Sequence, residues 1–188
     1  MKYIVSEKLN DASGFTAYAK ARMDVEDVLT SEGFLPLVVT YTKANLKSFK
    51  ERTKRQFDAY KTWKNALKGL GKGDSLVIQY PEDNNCQLLG FLFNSLKRKG
   101  VKIVALVHDI DLLRFGNPGY GKVKWMLYRY LEVQKINSFS KLILHNEKMK
   151  ETAVRECSLP EEKIVPLGIF DYVLDKSILE EKTGFDRS

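Results

Sequence analysis

The run VKIVALVHDIDLLR, Val101–Arg114, decides the fold. Val101, Ile103, Val104, Ala105, Leu106 and Val107 are apolar with no regular polar alternation between them. A strand reads this way when helices cover both faces of a parallel sheet. The run stops abruptly at His108-Asp109 and enters a polar loop. Ligands of open α/β sheets bind just beyond the carboxyl ends of the strands, so these two residues mark the first place to look for chemistry.

On the amino-terminal side, Asp74–Pro81 (DSLVIQYP) reads as a third strand. The acidic turn Glu82-Asp83-Asn84-Asn85 after it is suited to capping a helix, Cys86–Lys99, whose Leu88, Leu89, Leu92, Phe93 and Leu96 form a buried side. Further back, Lys2–Ser6 is a first central strand and Thr16–Glu32 a helix with Tyr18, Arg22, Val25 and Leu29 along one face. Phe34–Tyr41 is a second strand, which Pro36 either starts late or sends to an edge. Leu46, Phe49, Thr53, Phe57, Tyr60, Trp63 and Leu67 then recur near helical spacing, giving a long amphipathic helix.

On the carboxyl side, Ile110–Lys122 is a loop rich in Gly and Pro, followed by a helix in which Val123, Met126, Leu127, Tyr130 and Leu131 match the pattern of a core-facing side. Ser140–Leu144 is a fifth strand ending in His145-Asn146, Asn146 caps the helix Glu147–Cys157, and Ile164–Phe170 is a sixth strand. Strands alternating with helices predict a Rossmann-like α/β/α sandwich over residues 1–174, with a six-stranded, mainly parallel sheet and right-handed crossovers. Residues 175–188 have little to bury and read as a linker.

A chain of 188 residues can bury a substantial core as one domain. No apolar run approaches the roughly 20 residues of a membrane span, and the start carries no secretory pattern. The expected location is cytoplasmic, with peripheral attachment to the inner face of the membrane compatible with it. Cys86 and Cys157 stand far apart without ligand spacing, which predicts reduced thiols. Lys43 to Lys68 holds nine Lys or Arg against Glu51 and Asp58, so this segment carries +7, the net charge of the whole chain. Such a face either solubilises a helix or attracts anionic lipid, pyrophosphate or nucleic acid.

The chain has two histidines, His108 and His145, and each directly follows a strand. The same rim is expected to receive Ser6 and the first loop, Tyr80, Glu82 and Asp109. A His beside an Asp suits general-base work, but neighbours in extended chain point opposite ways. A backbone-bonded His108 and a turn-capping Asp109 therefore stand as the alternative. No cluster of His, Cys, Asp and Glu has metal-ligand spacing, and the lone Asp109-Ile110-Asp111 is a weak Mg²⁺ signal. GxGxxG, GxSxG and GxxxxGK[ST] motifs are absent.

HDIDLLR after VKIVALV, with GDSLVIQYP before it and KLILHNEKM after it, resembles the amino-terminal half of bacterial GT-B glycosyltransferases. The likeness is to galactofuranosyltransferases and to glucosyltransferases that extend sugars on adhesins, and runs from about Met1 to about Phe170. It implies the strand order 2-1-3-4-5-6, with the switch point beside the Asn10–Thr16 loop, and a second Rossmann-like domain that binds most of a nucleotide sugar such as a UDP-sugar. No cofactor or metal is implied. The cleft positions carried over are Ser13, Gly14, Phe15, Thr16, Tyr80, His108, Asp109, Arg114 and His145. Asp109, then His108, then Glu82 is the expected order of candidates for the base, with Arg114 steadying an acceptor or diphosphate oxygen or pairing with Asp109 or Asp111. The implied partners are a glycan or lipid-linked acceptor, with an anionic membrane reached through Lys43 to Lys68. A homo-oligomer is compatible, and nucleic acid is disfavoured. The chain stops where the donor domain is expected, so the resemblance implies an amino-terminal portion inactive by itself. The competing readings are a stand-alone flavodoxin-like nucleotide- or phosphate-binding domain, and a basic module docking on membrane or nucleic acid.

Overall fold

A computed structural model describes residues 1–9, 17–42, 48–110, 116–117 and 119–168. The expected cleft residues Ser13, Gly14, Phe15, Thr16 and Arg114, the cations Lys43 and Lys47, and the expected linker 175–188 lie outside the described residues. In chain order the elements are β1 (Lys2–Leu9), α1 (Ala17–Ser31), β2 (Leu35–Tyr41), α2 (Phe49–Ala66), β3 (Ser75–Tyr80), α3 (Leu89–Arg98), β4 (Lys102–Val107), α4 (Lys122–Ser138), β5 (Lys141–Leu144), α5 (Glu147–Cys157) and β6 (Ile164–Pro166).

The six strands form one sheet in the order β2-β1-β3-β4-β5-β6, and each neighbouring pair is parallel. This is the expected Rossmann-like sheet and strand order. Pro36 lies in β2, the edge strand, where a residue lacking an N–H is tolerated. The step from β1 to β2 runs one way across the sheet and every later step runs the other. Right-handed crossovers therefore place α1 on one face and α2, α3, α4 and α5 on the other. Contacts between α2 and α3, α3 and α4, and α4 and α5 join the latter four into one layer.

The core lies between that layer and the sheet. Trp63 meets Phe93 edge-on with ring centroids 5.8 Å apart, Phe93 meets Phe139 at 5.6 Å, and Phe139 meets Tyr80 at 5.8 Å. Such pairs add about 0.5–1.5 kcal/mol each beyond the area they bury. Cys86 and Cys157 are buried free thiols, and burial pushes each up to about 11. Asn146 caps α5 as expected, its Oδ1 accepting the Met149 N–H at 2.8 Å. Ser48 and Glu51 close a reciprocal capping box on α2.

The structure corrects four sequence expectations. The turn at Glu82 does not cap α3, whose N-cap is Leu88 and which has no side-chain cap. Phe49 and Phe57 of α2 are exposed, and Trp63 and Leu67 supply that helix's buried contacts. Tyr80 and Glu82 are buried rather than open to a cleft, with 0% and 4% of their surface exposed. Finally, Val123, Met126, Leu127 and Tyr130 of α4 face outward, while Glu132, Lys135, Ile136 and Phe139 are buried.

The last two corrections share one cause. The Lys135 ammonium donates to Glu82 Oε1 at 2.5 Å and lies 3.4 Å from Glu132 Oε2, while the Tyr80 hydroxyl donates to Glu132. The two groups at the end of β3 thus find their partners on α4. α3 approaches this helix so closely that a Cβ on Gly90 would stand 3.0 Å from the Lys135 Cα and N. Removing Lys135 would leave two buried carboxylates without their counter-charge. Lys135→Ala is therefore expected to lower unfolding free energy by about 3–5 kcal/mol, read as a shifted urea midpoint. A loss below about 1 kcal/mol would show that the three charges do not act as a unit.

Candidate functional site

Strand alternation decides what reaches the rim. Successive side chains of a strand point to opposite faces, so Val77 and Gln79 of β3 face α1 while Ile78 and Tyr80 face the core. On β4, Val104 and Leu106 face α1, and the same alternation continued puts His108 on that side. On β5, Ile143 and then His145 follow. Leu106 pairs with Ile143 in the sheet register, and two residues further along His108 stands across from His145, with ring centroids 6.1 Å apart. Both rings are half-buried. They end an apolar trough of about 760 Å³ between α1 and the sheet, walled by Val25, Val28, Val77, Val104, Leu106 and Ile143.

His108 is held in one orientation. The Gln79 side chain donates through Nε2 to the Arg22 carbonyl at 3.0 Å, which turns its Oε1 toward His108 Nε2 at 2.8 Å. The imidazole therefore donates at Nε2. Burial pulls its pKa down to about 4, and the Arg22 charge and the neighbouring His145 act in the same direction. His145 is also pulled down by burial, against the opposing charge of Asp109. The Asp109 carboxylate accepts the N–H of the next residue, Ile110, at 2.8 Å. His108, Asp109 and His145 thus share one rim. Glu82 and Tyr80 do not, since they hang from the opposite face of the sheet.

A second polar cluster flanks the rim, and sequence reading missed its roles. Glu7 near the end of β1 accepts the Asp83 N–H at 2.9 Å and the Asn84 N–H at 3.4 Å. The Arg22 guanidinium of α1 lies 3.3 Å from Glu7 and 3.6 Å from Asp83, and donates to the Gln79 and Pro81 carbonyls. Burial pushes the Glu7 carboxyl up to about 8 in spite of the Asp83 N–H and Arg22, which oppose it. The available signals were a Gln inside the apolar run LVIQY and an Arg on the inner face of a helix. Among the described residues no three His, Cys, Asp or Glu side chains gather as metal ligands would.

These shifts set opposite pH slopes. The folded state holds the Glu7 proton up to about 8, while an unfolded Glu releases it near 4.3. Its contribution is therefore fully present below that value and is lost as pH rises to about 8. His108 stays neutral down to about 4, so its contribution is present above the unfolded value near 6.5 and is lost as pH falls through 4. Urea midpoints of Glu7→Gln should decline less between pH 5 and 8 than those of the natural sequence, and His108→Gln should flatten the acid limb. Parallel curves for Glu7→Gln would show that this carboxyl is ionised at neutral pH.

No curated protein is matched by the chain. The family model of the glucosyltransferase 3-like N-terminal domain matches residues 1–169. That span covers all six strands of the sheet and the rim bearing His108, Asp109 and His145. The chain belongs to the glucosyltransferase 3-like family and carries that family's N-terminal domain.

Proposed function

We propose that this domain is the acceptor-binding half of a GT-B glycosyltransferase. A second domain, beginning beyond about residue 174, would bind a UDP-sugar, and a hexosyl or galactofuranosyl group would pass to a glycan or lipid-linked acceptor at the strand rim. The observation that carries the reading is a carboxylate and two imidazoles at the end of neighbouring central strands, in a glucosyltransferase-like domain. In an inverting transfer the acceptor hydroxyl attacks C1 of the donor sugar. The new C–O bond forms as the bond to the nucleoside diphosphate breaks, and the hydroxyl proton passes to a base.

Asp109 fits that base best. His108 already engages Gln79 through Nε2. Glu82 is sequestered by Lys135. His108 and His145 would position the acceptor by hydrogen bonds, and Arg114 would steady a diphosphate oxygen. Two imidazoles kept neutral by burial present both donors and acceptors to sugar hydroxyls without attracting a competing anion.

The isolated chain, assayed with UDP-glucose and UDP-galactofuranose against lipid and glycan acceptors, should give no transfer. Joined to a donor-binding domain it should turn over. Asp109→Asn should then lower kcat about 10²–10⁴-fold with an unchanged melting temperature. Robust turnover by the isolated chain, or full activity of Asp109→Asn in the joined enzyme, would overturn the assignment.

A further inference from the structure

The outward face of α4 lacks the polar character of a solvated helix. Val123, Met126, Leu127 and Tyr130 are 82%, 61%, 58% and 55% exposed. At 100° per residue they form a single stripe two turns long. Lys122 and Arg129 border it on one side and Lys124 on the other, all three exposed. From Lys122 to Leu131 the helix has no acidic residue, and Glu132, the first one, is buried. The Lys124 ammonium lies 3.7 Å from the Tyr120 ring centroid, and the Trp125 and Tyr128 rings stack at 5.7 Å, so aromatic groups crowd the start of the helix.

We propose that α4 docks this protein on an anionic bilayer surface. The four apolar side chains enter the boundary between headgroups and acyl chains, and Lys122 and Lys124 meet lipid phosphates. An amphipathic helix lying in the interface has these features: a narrow apolar face, basic borders and aromatic residues. Lipid is favoured over a second copy of the chain on two grounds. The stripe is four side chains over about 10 Å of helix, a much smaller patch than the roughly 800 Å² each partner buries in a stable dimer. Lys122 and Lys124 also border it with the same sign, so two copies would bring like charges together, whereas Arg129 lies 3.8 Å from Glu156.

The layer as a whole fits this contact. α3, which packs between α2 and α4, exposes Phe91, and α2 supplies the exposed cations Lys50, Lys54, Lys61 and Lys64. α4 begins on the side of the sheet where β4 ends, so its stripe starts near the rim of His108 and Asp109. A lipid-linked acceptor held in the same bilayer would present its sugar there. That consequence rests on the acceptor-domain reading, whereas the docking does not.

Co-sedimentation of the whole chain with vesicles tests the proposal, using pure phosphatidylcholine and an equal mixture with phosphatidylglycerol. The chain should partition at least about tenfold more onto the mixed vesicles, and added salt should weaken this preference. Met126→Glu with Leu127→Glu, both on exposed positions, should reduce binding about tenfold or more with an unchanged melting temperature. Lys122→Glu with Lys124→Glu should abolish the preference for phosphatidylglycerol. Failure of the natural chain to bind mixed vesicles overturns the proposal. So does undiminished binding by the Met126/Leu127 variant, which would assign attachment to the α2 cations alone. A dimer in sedimentation velocity that this variant converts to monomer would assign the stripe to a second copy and equally overturn it. Because the assay involves no transfer, its outcome is independent of whether Asp109 is a base.

Discussion

The buried ammonium of Lys135 is the constraint on which the arrangement of α4 and the β3 exit depends. Burial by itself would strip its proton, but Glu82 and Glu132 hold it charged, above its ordinary range. Desolvating such a group offsets most of what its partners contribute, so its net effect on stability is small although breaking it is costly. Its consequence is geometric. Half a turn of α4 about its axis would bury Val123, Met126, Leu127 and Tyr130, the greater hydrophobic gain. That rotation would also carry Glu132 and Lys135 into solvent and leave Tyr80 and Glu82 unpaired beneath the sheet. Against the gain from those side chains stand the loss of the buried pair, about 3–5 kcal/mol, and the exposure of Ile136, which the present orientation buries.

The loop after β3 is gripped from the other face as well. Glu7 accepts two of its backbone N–H groups, and Arg22 binds the carbonyls of Gln79 and Pro81. Polar contacts above and below the sheet therefore fix the segment 79–84 in place. Gln79 lies at the start of that segment, and its amide sets the orientation of the His108 ring. The candidate site is positioned by residues that do not face the rim opening, which is how a loop can present groups with the precision of a strand.

The parallel sheet, and the end of its strands at which polar residues gather, were legible in the sequence for physical reasons, while the strand order came with the family resemblance. Buried parallel strands need unbroken apolar runs, and VKIVALV and LVIQY supply them. The polar residues that follow each run then fall at one end. The inward side of α4 was not legible. A 3.6-residue period shows that a helix has an apolar face but not what that face meets, and Glu132 and Lys135 at i, i+3 look like an ordinary solvated pair. The fate of Tyr80 and Glu82 turned on strand parity. One position separates Gln79 from Tyr80, and one position changes the face of the sheet.

The trough beside α1 follows from topology. Only the first crossover runs toward β2, so among the described elements α1 alone lies on that face, in contact with β1 and β2. A helix about 10 Å across spans roughly two strands spaced at about 4.8 Å. The flanks of β3, β4 and β5 on this face, with Val77, Val104, Leu106 and Ile143, therefore wall an apolar trough instead of packing under a helix. The two imidazoles stand at its end and share its low polarity, which keeps both neutral. The incomplete helix cover on this face thus decides both the shape of the trough and the neutral state of the rings that end it.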